Sequence, residues 1–205
     1  MQTLKYVGYK FAHHHLHTEY SPLDAPVILK DLVKLSKELG YKTITVTDHG
    51  TVSSWVKLAT LCKDNGLKPI FGIEGYFAED RKARAGRDAF HCILLAKNNQ
   101  GIKSIYRISE LAYREGLYYN NPRFDWELLE KYKEGLICTT ACISGIVPQC
   151  LYPDTGTPAR GQKGRSRRPW SYPAIWPRSV PVPCRCQCWA GVTQSAGPLC
   201  PGCTG

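Results

Sequence analysis

Apolar residues recur along the first three quarters of the chain with spacings that alternate between helix and strand. Within residues 26–39 the recurring apolar positions are Ile28, Leu32, Leu35 and Leu39. This is the spacing of a helix, and Gly40 follows it, as glycine often does at helix ends. The spacing therefore predicts a helix over 26–39, and the β-branched residues of Thr43–Thr47 predict a strand after it.

The same alternation continues to residue 140. Further helices are predicted near residues 52–65, 99–115 and 125–132, and further strands at 68–77, 91–97 and 136–140. A charged loop at 79–88 separates two of these strands. Strands that alternate with helices indicate an α/β fold with a mainly parallel sheet, either open or closed into a barrel. In such folds the active groups lie at the C-terminal ends of the strands.

Composition adds a positive charge and many cysteines to this picture. The 205 residues include 27 Lys and Arg against 17 Asp and Glu, a formal charge of +10, and 10 cysteines. No apolar run approaches the roughly 18 residues of a membrane span, and the first residues lack the pattern of a signal peptide. We therefore expect a cytoplasmic protein whose cysteines are thiols or metal ligands rather than disulfides.

The composition changes near residue 151. Residues 152–205 contain 9 of the 14 prolines and a single acidic residue, Asp154, and they have no Phe or His. Too few Ile, Val and Leu remain there to form a core that offsets the loss of chain entropy. We expect a domain over 1–151 and a disordered tail over 152–205.

Side chains that bind metals are concentrated at the predicted strand ends. The candidates are His15, His17, Asp24, His49, Glu74, His91 and Cys142. His13 alternates with the first two, so an extended backbone would point all three to one face. His91 opens its strand rather than closing it. Either the preceding strand pairs antiparallel or the charged loop folds back, and the sequence leaves both possibilities open.

Imidazoles, carboxylates and a thiolate that converge on one rim are ligands for Zn²⁺, Mn²⁺ or Fe²⁺. Each residue alone has a simpler interpretation: Asp48 could cap the next helix, Glu74 could be a surface acid, and His91 and Cys142 could fill the core. Four strand ends that all offer ligands nevertheless favour a metal site.

Several longer motifs resemble one known family. They are HLHTEYSPLD at 15–24, VTDHGT at 46–51, PIFGIEGYF at 69–77, HCILLAKNNQG at 91–101 and GLYYNNPRFDWELLEKYKEGLICTTACISG at 116–145. In this order they resemble the polymerase and histidinol phosphatase (PHP) domain, over about residues 8–151. The stretch YYNNPRFD and the turn ACISG are most similar to the version at the N-terminus of bacterial replicative DNA polymerases.

The resemblance implies a distorted (β/α)7 barrel, similar to a TIM barrel, with up to three divalent metal ions at the C-terminal strand ends. The ligands of that family correspond to His15, His17, Asp24, His49, Glu74, His91 and Cys142. The family pattern continues with a D-x-H pair, whereas this chain has no histidine after His91. We therefore expect an incomplete barrel, without the domains that polymerise DNA.

The implied chemistry is metal-dependent phosphodiester hydrolysis, as 3′→5′ exonuclease proofreading during DNA replication, with DNA and other replisome subunits as partners. Two alternatives remain: a noncatalytic scaffold module of the polymerase, and a free-standing PHP phosphoesterase. Candidates to hold the nucleic-acid backbone are Lys97, Arg107, Arg114 and Arg123, although solvated surface charges are the simpler interpretation.

The tail has three interpretations. Its composition favours translation out of frame after about residue 151. The alternatives are a zinc site formed by Cys184, Cys186, Cys188, Cys200 and Cys203, of which only CPGC has the usual spacing, and nonspecific phosphate binding by the basic run 160–168.

Overall fold

A computed structural model of the chain describes residues 12–22, 24–84 and 89–147. The predictions made for the tail, its cysteines and its basic run lie outside these residues. Within the described part, no helix has the length and apolar character that a membrane crossing requires.

Four helices form close to the predicted positions. They are α1 (Leu29–Glu38), α2 (Trp55–Asn65), α3 (Asn99–Gly116) and α4 (Trp126–Tyr132). The side chains of Asn98 and Asp125 cap α3 and α4 by accepting hydrogen bonds from the main-chain N–H groups of Gly101 and Leu128. Gly66 ends α2 in the left-handed conformation, with φ 66°.

Six strands form one sheet. They are β1 (Thr43–Val46), β2 (Lys68–Phe77), β3 (Phe90–Ala96), β4 (Leu117–Tyr118), β5 (Asn121–Phe124) and β6 (Leu136–Thr139). The order is β4-β5-β2-β3-β6, and β1 pairs with the first part of β2. Within the described residues the sheet is open, because β4 and β6 at its two ends do not pair with each other.

The α/β class is confirmed, but the prediction of a mainly parallel sheet is wrong in its details. β1 and β5 pair parallel with β2, whereas β3 runs antiparallel to both β2 and β6, and β4 runs antiparallel to β5. The sequence also gave no prediction of the β4–β5 hairpin, whose turn residues Tyr119 and Asn120 both have positive φ. It follows that β1, β2, β5 and β6 share one direction and that β3 is reversed among them.

Two hydrophobic clusters hold the sheet and helices together. The first contains Trp55, Ile73, Phe77, Cys92, Leu94, Ile105, Ile108, Ala112, Phe124 and Leu128. The second contains Leu29, Val33, Ile44, Val46, Leu58, Cys62 and Leu67. Phe71 of β2 packs against both clusters.

The helix α1 is confirmed, but its buried face differs from the apolar positions that predicted it. Leu29 and Val33 are buried, whereas Ile28, Leu35 and Leu39 are 50, 53 and 44% exposed. Two neighbouring apolar stripes run along this helix, and the stripe that packs against the second cluster is the one that contains Leu29.

A buried arginine fixes the segment that leaves β2. The side chain of Arg81 is 4% exposed, and its guanidinium donates hydrogen bonds to Asp125, Glu115 and Glu127 at distances of 2.8–3.0 Å. Burial opposes the positive charge, but the three carboxylates outweigh it and hold the pKa of Arg81 above its ordinary value. This cluster ties the chain after β2 to α3 and α4.

Replacement of Arg81 by methionine tests the energetic weight of this cluster. Asp125, whose side chain is 7% exposed, would be left buried without its cationic partner. We expect Arg81→Met to lower the free energy of unfolding by about 3–5 kcal/mol, measured by urea titration of the full chain with circular dichroism. The control Arg107→Met removes an exposed, solvent-screened ion pair with Glu110 and should change the free energy of unfolding little. Equal losses in the two variants would contradict the assignment.

Candidate metal centre

The strand directions bring the predicted ligands to one edge of the sheet. His49 follows β1, Glu74 lies toward the C-terminal end of β2, and Cys142 follows β6. His91 lies near the start of β3, which is reversed, and it pairs with Tyr76 of β2. The antiparallel alternative is therefore correct, and it explains why a ligand can open its strand and still face the others.

Glu74 lies at the centre of the group, with its side chain 1% exposed. Its Oε2 atom is 2.7 Å from His15 Nε2 and 2.8 Å from His17 Nε2. Its Oε1 atom is 2.6 Å from His91 Nδ1. One carboxylate therefore contacts three imidazoles from two distant parts of the chain.

The ligand atoms form three overlapping groups, each with its atoms within 4.8 Å of one another. The groups are His15, His17 and Glu74; His17, Asp24 and His49; and His49, Glu74 and His91. Six of the seven residues predicted from the sequence are thus brought together. Cys142 belongs to none of these groups, but its Sγ atom is 3.5 Å from His91 Nδ1.

His13 lies outside the three groups. Its ring is 5.7 Å from that of Tyr41. The expectation that His13 shares a face with His15 and His17 is not met. The described residues before His17 form no regular strand, so the strict alternation of side chains does not apply.

The electrostatics of the centre depend on the charge of Glu74. Burial opposes this charge, but hydrogen bonds from His15, His17 and His91 outweigh it and hold the pKa of Glu74 well below its ordinary value of 4.5. The hydrogen bond with Glu74 in turn raises the pKa of His15 above 6.5. Burial lowers the pKa of His49, which favours the neutral imidazole that a metal ion requires.

The donor atoms fit a divalent metal ion. His49 Nδ1 is buried without a hydrogen bond within the described part, and it lies 3.7 Å from Glu74 Oε2. Buried polar atoms normally have partners, so a buried imidazole nitrogen that faces a carboxylate without a hydrogen bond is typical of a metal ligand. A set of imidazole nitrogens and carboxylate oxygens suits a divalent metal ion.

A second carboxylate holds the ligand-bearing segment in place. Asp48 is fully buried and accepts hydrogen bonds from Thr18 N at 2.7 Å, from Thr18 Oγ1 at 3.0 Å and from Ser21 Oγ at 3.1 Å. Ser21 Oγ also accepts the N–H of His49 at 2.9 Å and lies 3.5 Å from His17 Nδ1. Asp48 therefore supports His17 and His49 rather than capping α2, whose N-cap residue is Ser54.

The ring of Tyr76 packs against two of the histidines of the centre. The Tyr76 ring stacks on His49 at a centroid distance of 6.0 Å and meets His91 edge-on at 5.6 Å. Gly50 follows His49 with φ 62°, and a Cβ atom there would lie 3.0 Å from Pro122. Neither Tyr76 nor Ser21 could be predicted from the sequence, because a lone tyrosine or serine carries no spacing signal.

The predicted nucleic-acid contacts differ in their surroundings. Lys97, Arg107 and Arg114 are exposed, and the two arginines pair with Glu110. Arg123 is 2% exposed, and its guanidinium donates to the main-chain carbonyls of Gly116, Arg81 and Ala83. Its predicted role at the nucleic-acid surface is therefore wrong, because this side chain is used inside the fold.

Comparison with known proteins identifies the family of this chain. The PHP domain family matches residues 13–170, so the chain belongs to the PHP domain family. The curated relatives include DNA polymerase III subunit alpha of Aquifex aeolicus, which is 45% identical over 146 residues, or 66% of this chain and 12% of the relative. The corresponding protein of Borreliella burgdorferi is 41% identical over 147 residues, or 69% of this chain and 13% of the relative.

The chain therefore spans about one eighth of the length of these relatives. Among solved structures, an amidohydrolase from Chromobacterium violaceum is similar with a TM-score of 0.35 and 16% identity, over 50% of this chain and 36% of the other.

Replacement of Asp48 tests whether it supports the centre. Asp48→Ala would leave the N–H of Thr18 and two hydroxyls without an acceptor in a buried position. We expect Mn²⁺ affinity, measured by calorimetric titration of the full chain, to fall about 10–100-fold. Asp31→Ala, which removes an exposed carboxylate from α1, is the matched control. An unchanged affinity in Asp48→Ala would show that this network does not position the ligands.

The raised pKa of His15 predicts a pH-dependent contribution to stability. A group whose pKa is raised on folding stabilises the protein fully below its unfolded value, and this stabilisation is lost as pH rises through the folded value. In the presence of a chelator, the loss of stability in His15→Ala should therefore be largest below pH 6.5 and smaller above it. Urea titrations over this range measure the difference, with His13→Ala as the control. A loss that does not vary with pH would argue against the charged pair of His15 and Glu74.

Proposed function

We propose that this chain carries a metal-dependent phosphodiesterase centre that removes nucleotides from the 3′ end of DNA, as part of a replicative polymerase. The observation that carries the proposal is the set of three overlapping ligand groups around the buried Glu74. The similarity to DNA polymerase III subunit alpha supports a role in replication, with DNA and other replisome subunits as partners in the cytoplasm.

The residues divide into three places for metal ions. His15, His17 and Glu74 would hold one ion, His49, Glu74 and His91 a second, and His17, Asp24 and His49 a third. Cys142, beside His91, would join the second group after a small movement of its side chain. A bound divalent ion lowers the pKa of water and neutralises charge that develops on a phosphate.

The side chains also define how a substrate reaches the centre. Glu74 is 1% exposed, whereas the side chains of His15 and Asp24 are 32 and 46% exposed. A phosphodiester therefore approaches from the side of His15 and Asp24. Tyr76, stacked on His49 and against His91, holds these imidazoles in place and excludes water from behind them.

The metal content and the nuclease activity of the full chain test this proposal together. We expect bound divalent metal by elemental analysis and release of nucleotides from a 3′-recessed DNA in Mn²⁺. Glu74→Gln should reduce both metal content and cleavage, the latter by about 100-fold or more, because it removes the shared carboxylate charge. Glu38→Gln, an exposed carboxylate on α1, should leave both unchanged.

The other outcomes separate the alternatives. Bound metal without cleavage would favour a noncatalytic scaffold module. Cleavage of a small phosphate monoester but not of DNA would favour a free-standing phosphoesterase. Activity that persists in Glu74→Gln would overturn the assignment of the centre.

A further inference from the structure

Two cysteine side chains face each other across neighbouring strands. Cys92 lies in β3 and Cys138 in β6, and their Sγ atoms are 3.3 Å apart. Both are free thiols. Because side chains alternate along a strand and Cys92 follows His91 directly, the two thiols lie on the face of the sheet opposite the metal ligands.

We propose that Cys92 and Cys138 form a reversible disulfide, which links the strand that carries His91 to the strand that leads to Cys142. The proposal goes beyond the proposed function and does not depend on it. The sulfur atoms of a disulfide are about 2.0 Å apart, so the two thiols need to approach by little more than about 1 Å. Among the described strands β6 pairs only with β3, so it can shift by this amount without loss of another pairing.

The pairing register favours a bond that is also readily reduced. The direct partner of Cys138 across the strands is Leu94, so Cys92 is its diagonal neighbour. Diagonal neighbours are farther apart than directly opposed residues. A disulfide that draws its strands from their relaxed positions is easier to reduce, as is typical of regulatory rather than structural disulfides.

The oxidation proceeds by thiol–disulfide exchange with a small-molecule disulfide such as oxidised glutathione. Cys138 is exposed and Cys92 is buried. The thiolate of Cys138 attacks one sulfur of oxidised glutathione, and one glutathione thiol leaves. The thiolate of Cys92 then attacks the sulfur of Cys138, and the second glutathione thiol leaves. The protein loses two electrons and two protons. Oxidised glutathione gains these two electrons and two protons and becomes two molecules of reduced glutathione.

Cys62 is a suitable comparison within the same chain. It is buried in the second hydrophobic cluster, where burial raises the pKa of its thiol to about 11. Cys62 is 0% exposed, so oxidised glutathione cannot reach its sulfur, and Cys62 should remain reduced under conditions that oxidise the pair.

Peptide mapping of the full chain tests the proposal. The native protein is treated with oxidised glutathione, the remaining thiols are blocked with a maleimide, and tryptic peptides are identified by mass spectrometry. Trypsin isolates Cys92 in peptide 88–97, whereas Cys138, Cys142 and Cys150 share peptide 134–160. We expect a cross-link between these two peptides that dithiothreitol reverses.

Variants identify the cysteine on the second peptide. The cross-link should persist in Cys142→Ser and Cys62→Ser, and it should be lost in Cys138→Ser. A cross-link that survives in Cys138→Ser would overturn the proposal. So would the absence of any cross-link, or one that forms as fast in the urea-unfolded chain as in the native chain, because proximity in the fold would then have no effect.

Discussion

The rest of the site depends on the interactions of the buried carboxylate of Glu74. A charge this far from solvent is stable only with close partners, and its partners are the imidazoles of His15, His17 and His91. They belong to the segment before α1 and to β3, so the centre forms only after distant parts of the chain have come together. Binding chemistry and folding are therefore linked through one side chain.

The reversed direction of β3 also depends on residues that are far apart in the sequence. Periodicity predicted the four helices and four of the six strands to within a few residues, because apolar spacing is a local property of the chain. It could not predict strand direction, which depends on pairing between distant residues. The antiparallel pairing of His91 with Tyr76 is the clearest case, since the sequence placed His91 at the wrong end of a strand if all strands were parallel.

Some residues of the candidate site could be predicted from the sequence, and others could not. His15, His17, His49 and Glu74 stand out because ligand residue types at strand ends have a characteristic pattern. Asp48 stood in the same pattern, yet only the structure shows that it binds Thr18 and Ser21 instead of capping a helix. The role predicted for Arg123 was wrong because its side chain is buried. The sequence shows its charge but not the carbonyl groups that surround it.

The length of β2 has a consequence for cooperativity. Its first residues pair with β1, and its last residues pair with β3 and β5, so both hydrophobic clusters rest on the same strand. Phe71 contacts both clusters at the point where the pairing changes. Neither cluster can open fully without exposing the hydrogen bonds that the other one protects. The two clusters should thus behave as one cooperative unit, with the central amides of β2 among the slowest to exchange with solvent.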